Sequence, residues 1–256
     1  MDKRQARSHR PWRTALSHRP SPTGPVAPGA LLPFFPMSHA SHFLDPRLSD
    51  YLVRHAQPRD PLLEELAAET SMLYPDLDCQ VSPDEGALLR MLVRLGGARH
   101  AVELGTFTGY SSICIARGLQ PGGRLLCCDP SAEWTAVARR YWERAALTDR
   151  IELHLGPALR ILAGLPDEPH FDFAFVDADK AEFIAYYEAL VPRMAPGGLI
   201  AVDNVLRRGK VAGLSAPDAR TMLMLAFNDH VLADARTESV IVPIADGLSL
   251  ITVTGG

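Results

Sequence analysis

Asp177, in Phe175-Val-Asp-Ala-Asp-Lys180, and the pair Asp203-Asn204 each follow a short apolar run. Such runs read as strands of a parallel sheet, and ligands of open α/β sheets bind outside the carboxyl ends of those strands. Two carboxylates and an amide oxygen from neighbouring strands make a hard, all-oxygen set. It suits Mg²⁺ first and Ca²⁺ or Mn²⁺ next, with water or substrate completing the shell. Lys180 stands three residues past Asp177. A cation there would repel its ammonium and lower its pKa toward the range where an amine can take up a proton. A single aspartate at a strand end merely solvates a loop. The group Asp177, Lys180, Asp203 and Asn204 is harder to explain that way.

A second set lies upstream, in Val102-Glu-Leu-Gly-Thr-Phe-Thr-Gly-Tyr-Ser-Ser112. It has the form of a buried strand, a glycine turn and a helix opening near Gly109. Gly105 and Gly109 are expected to let the backbone pass close to a ligand, with the helix pointing its first amides there. The spacing G-x-x-x-G lacks the third glycine of G-x-G-x-x-G, and with it the usual seat for a pyrophosphate. Glu103 would repel a diphosphate and suits a cationic ligand. Asp129 ends the next apolar run, where a carboxylate can accept both hydroxyls of a ribose. Asp129-Pro-Ser also reads as a helix start, and Ser131 can cap that helix while Asp129 faces the ligand. Trp134 is a candidate to stack on an adenine. Trp142, eight residues along the same helix, reads as packing.

The elements that must position these groups follow from pattern. A helix is expected over 60–74, and another starts at Ser82-Pro-Asp-Glu with Ser82 as N-cap, Pro83 at the first helical position and Glu85 at the third. Strands are expected at 101–104, 124–128, 151–155, 171–176 and 199–202. They alternate with helices at 110–118, 132–146, 158–163 and 181–194, the signature of a parallel sheet with crossover helices. A helix at 216–232 and two strands, 239–244 and 248–254, close the chain, with Ala245-Asp-Gly as a hairpin signal. The fold class is α/β: a Rossmann-like, mostly parallel seven-stranded sheet with an antiparallel C-terminal hairpin and helices on both faces. The helix over 60–74 and the segment around Ser82 are expected to cover the site as a lid.

Composition limits the alternatives. A chain of 256 residues, 47% hydrophobic, can bury one full α/β core. Its net charge of −4 gives no general nucleic-acid footprint, and no apolar run is long enough to span a membrane. Residues 1–36 carry six Lys/Arg against one acid, together with seven prolines, and read as disordered. We therefore divide the chain into an extension, 1–43, and one domain, 44–256, with Met37 as an alternative start. Cys79, Cys114, Cys127 and Cys128 lack C-x-x-C spacing and read as small core hydrophobes of a reducing, cytoplasmic protein. The nine histidines show no metal-binding spacing.

Together, V-E-L-G-T-F-T-G-Y-S-S, S-P-D-E-G, F-V-D-A-D-K and V-D-N-V-L resemble the class I S-adenosylmethionine-dependent O-methyltransferases. Over residues 44–253 the chain is similar to their cation-dependent branch, the catechol and caffeoyl-CoA O-methyltransferases. The resemblance implies that Glu103, Gly105, Thr106 and Ser111 hold the methionine moiety and that Asp129 binds the ribose. It places Val81, Ala158 and Asp179 along the cofactor, Ala158 near the adenine. It makes Asp177, Asp203 and Asn204 the metal ligands and Lys180 the general base. It implies a small aromatic acceptor with vicinal hydroxyls and a homodimer, with no nucleic-acid or membrane partner. One departure is Arg207, where the family usually carries tryptophan beside the acceptor; a cation there favours an acidic acceptor. Three rivals stand beside this reading: a nicotinamide-dependent oxidoreductase, a non-catalytic module on the same fold, and a metal-independent methyltransferase. The missing third glycine and Glu103 count against the first, and Lys180 with its three oxygen donors counts against the second.

Overall fold

The computed structural model describes residues 43–56, 60–77 and 79–254; the disorder expected of residues 1–36 lies outside them. Three helices come first: α1 (Pro46–His55), α2 (Pro61–Leu73) and α3 (Pro83–Leu95). Strands and helices then alternate through β1 (His100–Leu104), α4 (Tyr110–Gly118), β2 (Arg124–Asp129), α5 (Ala132–Arg144) and β3 (Ile151–Leu155). The alternation continues with α6 (Ala158–Ala163), β4 (Phe171–Val176), α7 (Phe183–Leu190) and β5 (Met194–Val202). Last come α8 (Ala219–Ala233), β6 (Thr237–Val242) and β7 (Leu248–Val253).

The seven strands form one sheet in the order β3-β2-β1-β4-β5-β7-β6. β1 to β5 run parallel, and β7 lies antiparallel between β5 and β6. The order turns back between β1 and β4, which opens a crevice at their carboxyl ends. That crevice is where the residues read as chemical converge.

Side chains of a strand alternate between faces, and β1 shows what each face receives. Val102 and Leu104 join a core with Leu162, Phe183, Tyr187 and Phe227 under α6, α7 and α8. Ala101 joins the opposite core, with Ile113, Leu125, Phe173 and Phe175 under α3, α4 and α5. Glu103 points the same way as Ala101, so a carboxyl is set into an apolar layer beside Cys127.

Three features differ from the pattern reading. α1 was not foreseen, although Asp45 caps it and Pro46 occupies its first position, the same signal that marked α3. The expected single helix over 181–194 is a 3₁₀ turn (Lys180–Glu182), α7, and a second 3₁₀ turn (Val191–Arg193). Pro192 has no N–H to give to a continuing helix, and β5 starts at once at Met194, five residues earlier than expected. Cys114, Cys127 and Cys128 are buried, but Cys79 is exposed and lines the crevice. No helix among the described residues is long and apolar enough to cross a membrane.

Candidate functional site

The turn after β1 is shaped by what packs on it. Gly105 has φ +88°, and a Cβ there would run into the main-chain carbonyl of Asp177. Gly109 has φ +89°, and its Cβ would lie 2.8 Å from Ala138 Cβ and 2.9 Å from Trp142 Nε1. Both glycines also line the cavity, so packing is a second demand on them beside the expected approach of a ligand. It lets β1 press on the end of β4, and α4 on α5. Trp142 Nε1 donates to Ser112 Oγ at 2.8 Å, in keeping with a packing role.

Asp129 holds this turn from the side. Its Oδ2 accepts from the N–H groups of Thr106 and Phe107, both at 2.9 Å, and its Oδ1 accepts from Ser131 N–H at 2.7 Å. Ser131 Oγ caps α5 by accepting from Trp134 N–H at 3.2 Å. A carboxylate offers about four acceptor sites, so Asp129 keeps little capacity for a sugar hydroxyl. It is buried and does not reach the cavity wall, whereas Pro130 and Trp134 do.

Glu103 is fully buried behind Thr106 and Ser111, which line the cavity. Cys127 Sγ donates to its Oε2 at 3.3 Å, while Oε1 and the Thr106 hydroxyl have no partner. Burial pushes the Glu103 pKa up to about 8, with the neighbouring Ser111, Cys127 and Thr106 side chains favouring the anion. A buried acid with one orphaned oxygen is a fitting receptor for an ammonium group, which would supply both the hydrogen bond and the charge.

Asp177, Asp179, Lys180, Asp203 and Asn204 all open onto one cavity of about 830 Å³. The sheet places them: Asp177 N–H donates to Leu104 O at 2.9 Å and Asp203 N–H to Val176 O at 3.0 Å. Asn204 sits at φ +62°, a left-handed conformation that asparagine tolerates better than most residues. Its N–H donates to Asp203 Oδ1 at 2.5 Å. Burial, then repulsion from Asp177, pushes the Asp203 pKa up to about 8, with Lys180 opposing.

Lys180 Nζ donates to Asp177 Oδ1 at 2.8 Å. Burial alone would depress its pKa, but the Asp177 charge and hydrogen bond, with Asp203 behind them, hold it above the ordinary lysine value. This is the metal-free chain, in which the ammonium itself neutralises Asp177; the lowering expected of Lys180 depends on a bound cation. Among the described residues no three His, Cys, Asp or Glu side chains form a metal cage. The expected donors are two carboxylates and an amide, and one carboxylate is shared with Lys180.

Glu85 is the site residue that pattern reasoning missed. The sequence reading used it only as the third residue of α3, yet it lines the same cavity at 1% exposure. Its carboxyl faces that of Asp203 with no basic group among the described residues on either oxygen, and burial, then the charges of Asp203, Asp177 and Asp84, push its pKa well above the ordinary value.

The remaining walls sort the other candidates. Val81 lines the cavity, but Ala158 does not: it packs into the core beneath α6. Phe107 and Trp134 meet edge to face at 5.2 Å between centroids, with Tyr74 beside Phe107 at 5.5 Å. Of the expected lid, the segment after α2 walls the cavity with Asp76, Leu77, Cys79, Gln80, Val81 and Ser82. α2 itself is tied to neighbouring helices instead. Thr70 Oγ1 donates to Thr108 Oγ1 at 2.8 Å, Tyr141 OH to Glu69 at 2.8 Å, and Arg117 pairs with Asp60. At the far end stand Arg207, Arg208, Lys210 and Arg220. Arg207 is held at φ +49° and lies 3.9 Å from Asp218, which Lys210 already engages at 2.7 Å.

Comparison with known proteins fits this geometry. The family model described as O-methyltransferase matches residues 54–253. Caffeoyl-CoA O-methyltransferase 1 of Eucalyptus globulus is 34% identical over 218 residues, covering 79% of this chain and 88% of the relative. The O-methyltransferase from Bacillus cereus, solved in complex with SAH, is 34% identical with a TM-score of 0.73, covering 81% of this chain and 97% of that one. TomG from Streptomyces achromogenes, solved in complex with SAM, is 31% identical with a TM-score of 0.73, covering 82% and 96%. The chain belongs to the O-methyltransferase family.

Proposed function

We propose that this member of the family transfers a methyl group from S-adenosylmethionine to one hydroxyl of a vicinal diol on a small aromatic acceptor, with a divalent cation bound by Asp177, Asp203 and Asn204. The observation that carries this reading is that two acidic sites border one cavity, the first with an orphaned Glu103 oxygen. Glu103 lies behind the glycine turn, and Asp177, Asp203 and Asn204 stand at the strand ends. The first suits the ammonium of a methionine moiety, the second a hard cation with a chelating diol. The family resemblance and the SAM- and SAH-bound relatives support the same donor.

The residues divide the work. Gly105, Thr106 and Ser111 border the methionine end, Glu103 supplies charge there, and Phe107 and Trp134 offer an aromatic wall to the adenine end. Ribose hydroxyls would compete with backbone amides for Asp129, so part of the Asp129 network must loosen when the cofactor binds. When bound, the cation supplies a Lewis acid that favours the ionised form of a hydroxyl. Lys180 Nζ then takes the proton, and the oxygen attacks the methyl carbon in line as its bond to sulfur breaks. The transfer cancels charge on both partners, so a site that excludes water and aligns them supplies most of the acceleration.

The deciding experiment is an assay with labelled S-adenosylmethionine over catechol, caffeate, caffeoyl esters and flavonoids, with Mg²⁺ or with EDTA. Methylated product in Mg²⁺ and none in EDTA is expected. Full activity in EDTA would remove the cation from the scheme, and the absence of product with any diol would remove the acceptor class.

Glu103 adds a pH test. Its folded pKa of about 8 lies above the ordinary 4.5. The ligand-free chain therefore holds a proton there that the unfolded chain gives up above about 4.5. Stability from this group is full below that value and is lost as pH rises toward 8. An arriving ammonium favours the anion, so binding of S-adenosylmethionine at pH 7 should release a proton. Affinity should rise by up to about tenfold from pH 6 to 7. Calorimetry in two buffers of different ionisation enthalpy would detect the proton, and Glu103→Gln should weaken binding and abolish the pH dependence. Proton-neutral binding in the wild type would refute the role given to Glu103.

A further inference from the structure

Glu85 has no role in the chemistry above, and none in its own helix. A glutamate at the third position of a helix ordinarily folds back to the N–H of the N-cap residue and completes a capping box. Only the outward half of that box forms: Glu85 N–H donates to Ser82 Oγ at 3.3 Å. The carboxylate does not return. Both of its oxygens are buried without a hydrogen-bond partner, and the residue is 1% exposed at the wall of the cavity. The charges it faces are those of Asp203, Asp177 and Asp84, all acidic. Ionising a buried acid that has no counter-charge is among the costliest changes in a folded chain. A divalent ion is the group that would relieve it together with its neighbours.

We propose that Glu85 is a third carboxylate of the cation site, facing through a coordinated water the ion held by Asp177, Asp203 and Asn204. This inference rests on the cation reading made under Proposed function. Its consequence is mechanical. Asp177, Asp203 and Asn204 are carried by the sheet, whereas Glu85 is carried by α3, directly after the strap of Cys79 to Ser82 that walls the cavity. An ion bridging the two fastens the strap to the sheet and completes the cofactor's wall. Glu85 is thus a positioning residue.

The test uses Mn²⁺ alone as the probe, on the full chain without S-adenosylmethionine or acceptor. Free Mn²⁺ is followed by electron paramagnetic resonance, and unfolding by circular dichroism. The wild type should bind Mn²⁺ and gain Tm with it. Glu85→Gln should bind about 10–100-fold more weakly, the range seen when groups supporting a metal's ligands are removed. It should lose most of the Mn²⁺-induced rise in Tm. Without metal, its Tm should equal or exceed that of the wild type, since one of several like charges is gone. Glu85→Asp, which keeps the charge on a shorter arm, should fall between the two, and it serves if the amide variant does not fold. Unchanged Mn²⁺ affinity in Glu85→Gln overturns the role of Glu85 while leaving the cation reading intact. A wild-type chain that does not bind Mn²⁺ overturns both.

Discussion

Lys180→Ala should bind S-adenosylmethionine as the wild type does and lose about 10²–10⁴-fold in kcat, the range for removing a positioned general base. Lys180 lies within the cavity on Asp177 and has no part assigned in holding the cofactor, so cofactor affinity should not follow turnover. The assay needs saturating Mg²⁺, because removing the ammonium also leaves Asp177 and Asp203 without their neighbouring positive charge. Lys180→Arg separates proton transfer from charge: it keeps the cation but cannot give up its proton near neutrality, and it should remain as inactive as the alanine variant. The pH profile carries the same information. In the metal-free chain Asp177 holds the Lys180 pKa above the ordinary value, so the neutral amine is scarce at pH 7. An ion drawing on Asp177 weakens that hold, and kcat should climb with pH along a limb that Lys180→Ala lacks. Turnover within a few-fold of wild type in the alanine variant would end the base assignment.

Gly105→Ala should destabilise the fold by roughly 2–5 kcal/mol, from a left-handed backbone and a methyl group forced against main chain. The obstructing atom is the Asp177 carbonyl, held in the sheet by the Asp177 N–H to Leu104 O bond at 2.9 Å. It cannot swing aside as a side chain could. Gly122→Ala is the control: its φ of +76° carries similar strain, but nothing lies within 4 Å of its Cβ. Urea unfolding of both variants should show the larger loss at Gly105, and the difference measures the collision. Equal losses at the two positions would mean that the strand ends are not pressed together. Because Asp177 is also a donor in the proposed cation site, Gly105→Ala should lower Mn²⁺ affinity as well.

Much of this molecule was legible in its residues. Apolar runs of strand length, separated by helix-length patterns, can be buried in few ways, so the parallel sheet and its antiparallel close followed from period alone. Ser82-Pro and Asp129-Pro-Ser placed two helix starts because capping is local chemistry. The shared rim of Asp177, Lys180, Asp203 and Asn204 followed too, since strand ends of a parallel sheet must share one edge. Tertiary structure decided what depends on contact between distant segments. The glycines of the turn make room for the end of β4 and for α5. Asp129 is committed to three amides, Ala158 turns into the core, and Lys180 pairs with Asp177 in the metal-free chain. Glu85 shows the limit most plainly. From sequence alone its place at the third position of α3 reads as half of a capping box, and only the packing of that helix over the sheet leaves its carboxyl buried among acids. Local rules report the energy of neighbours in the chain. Charge, burial and close approach depend on neighbours in space.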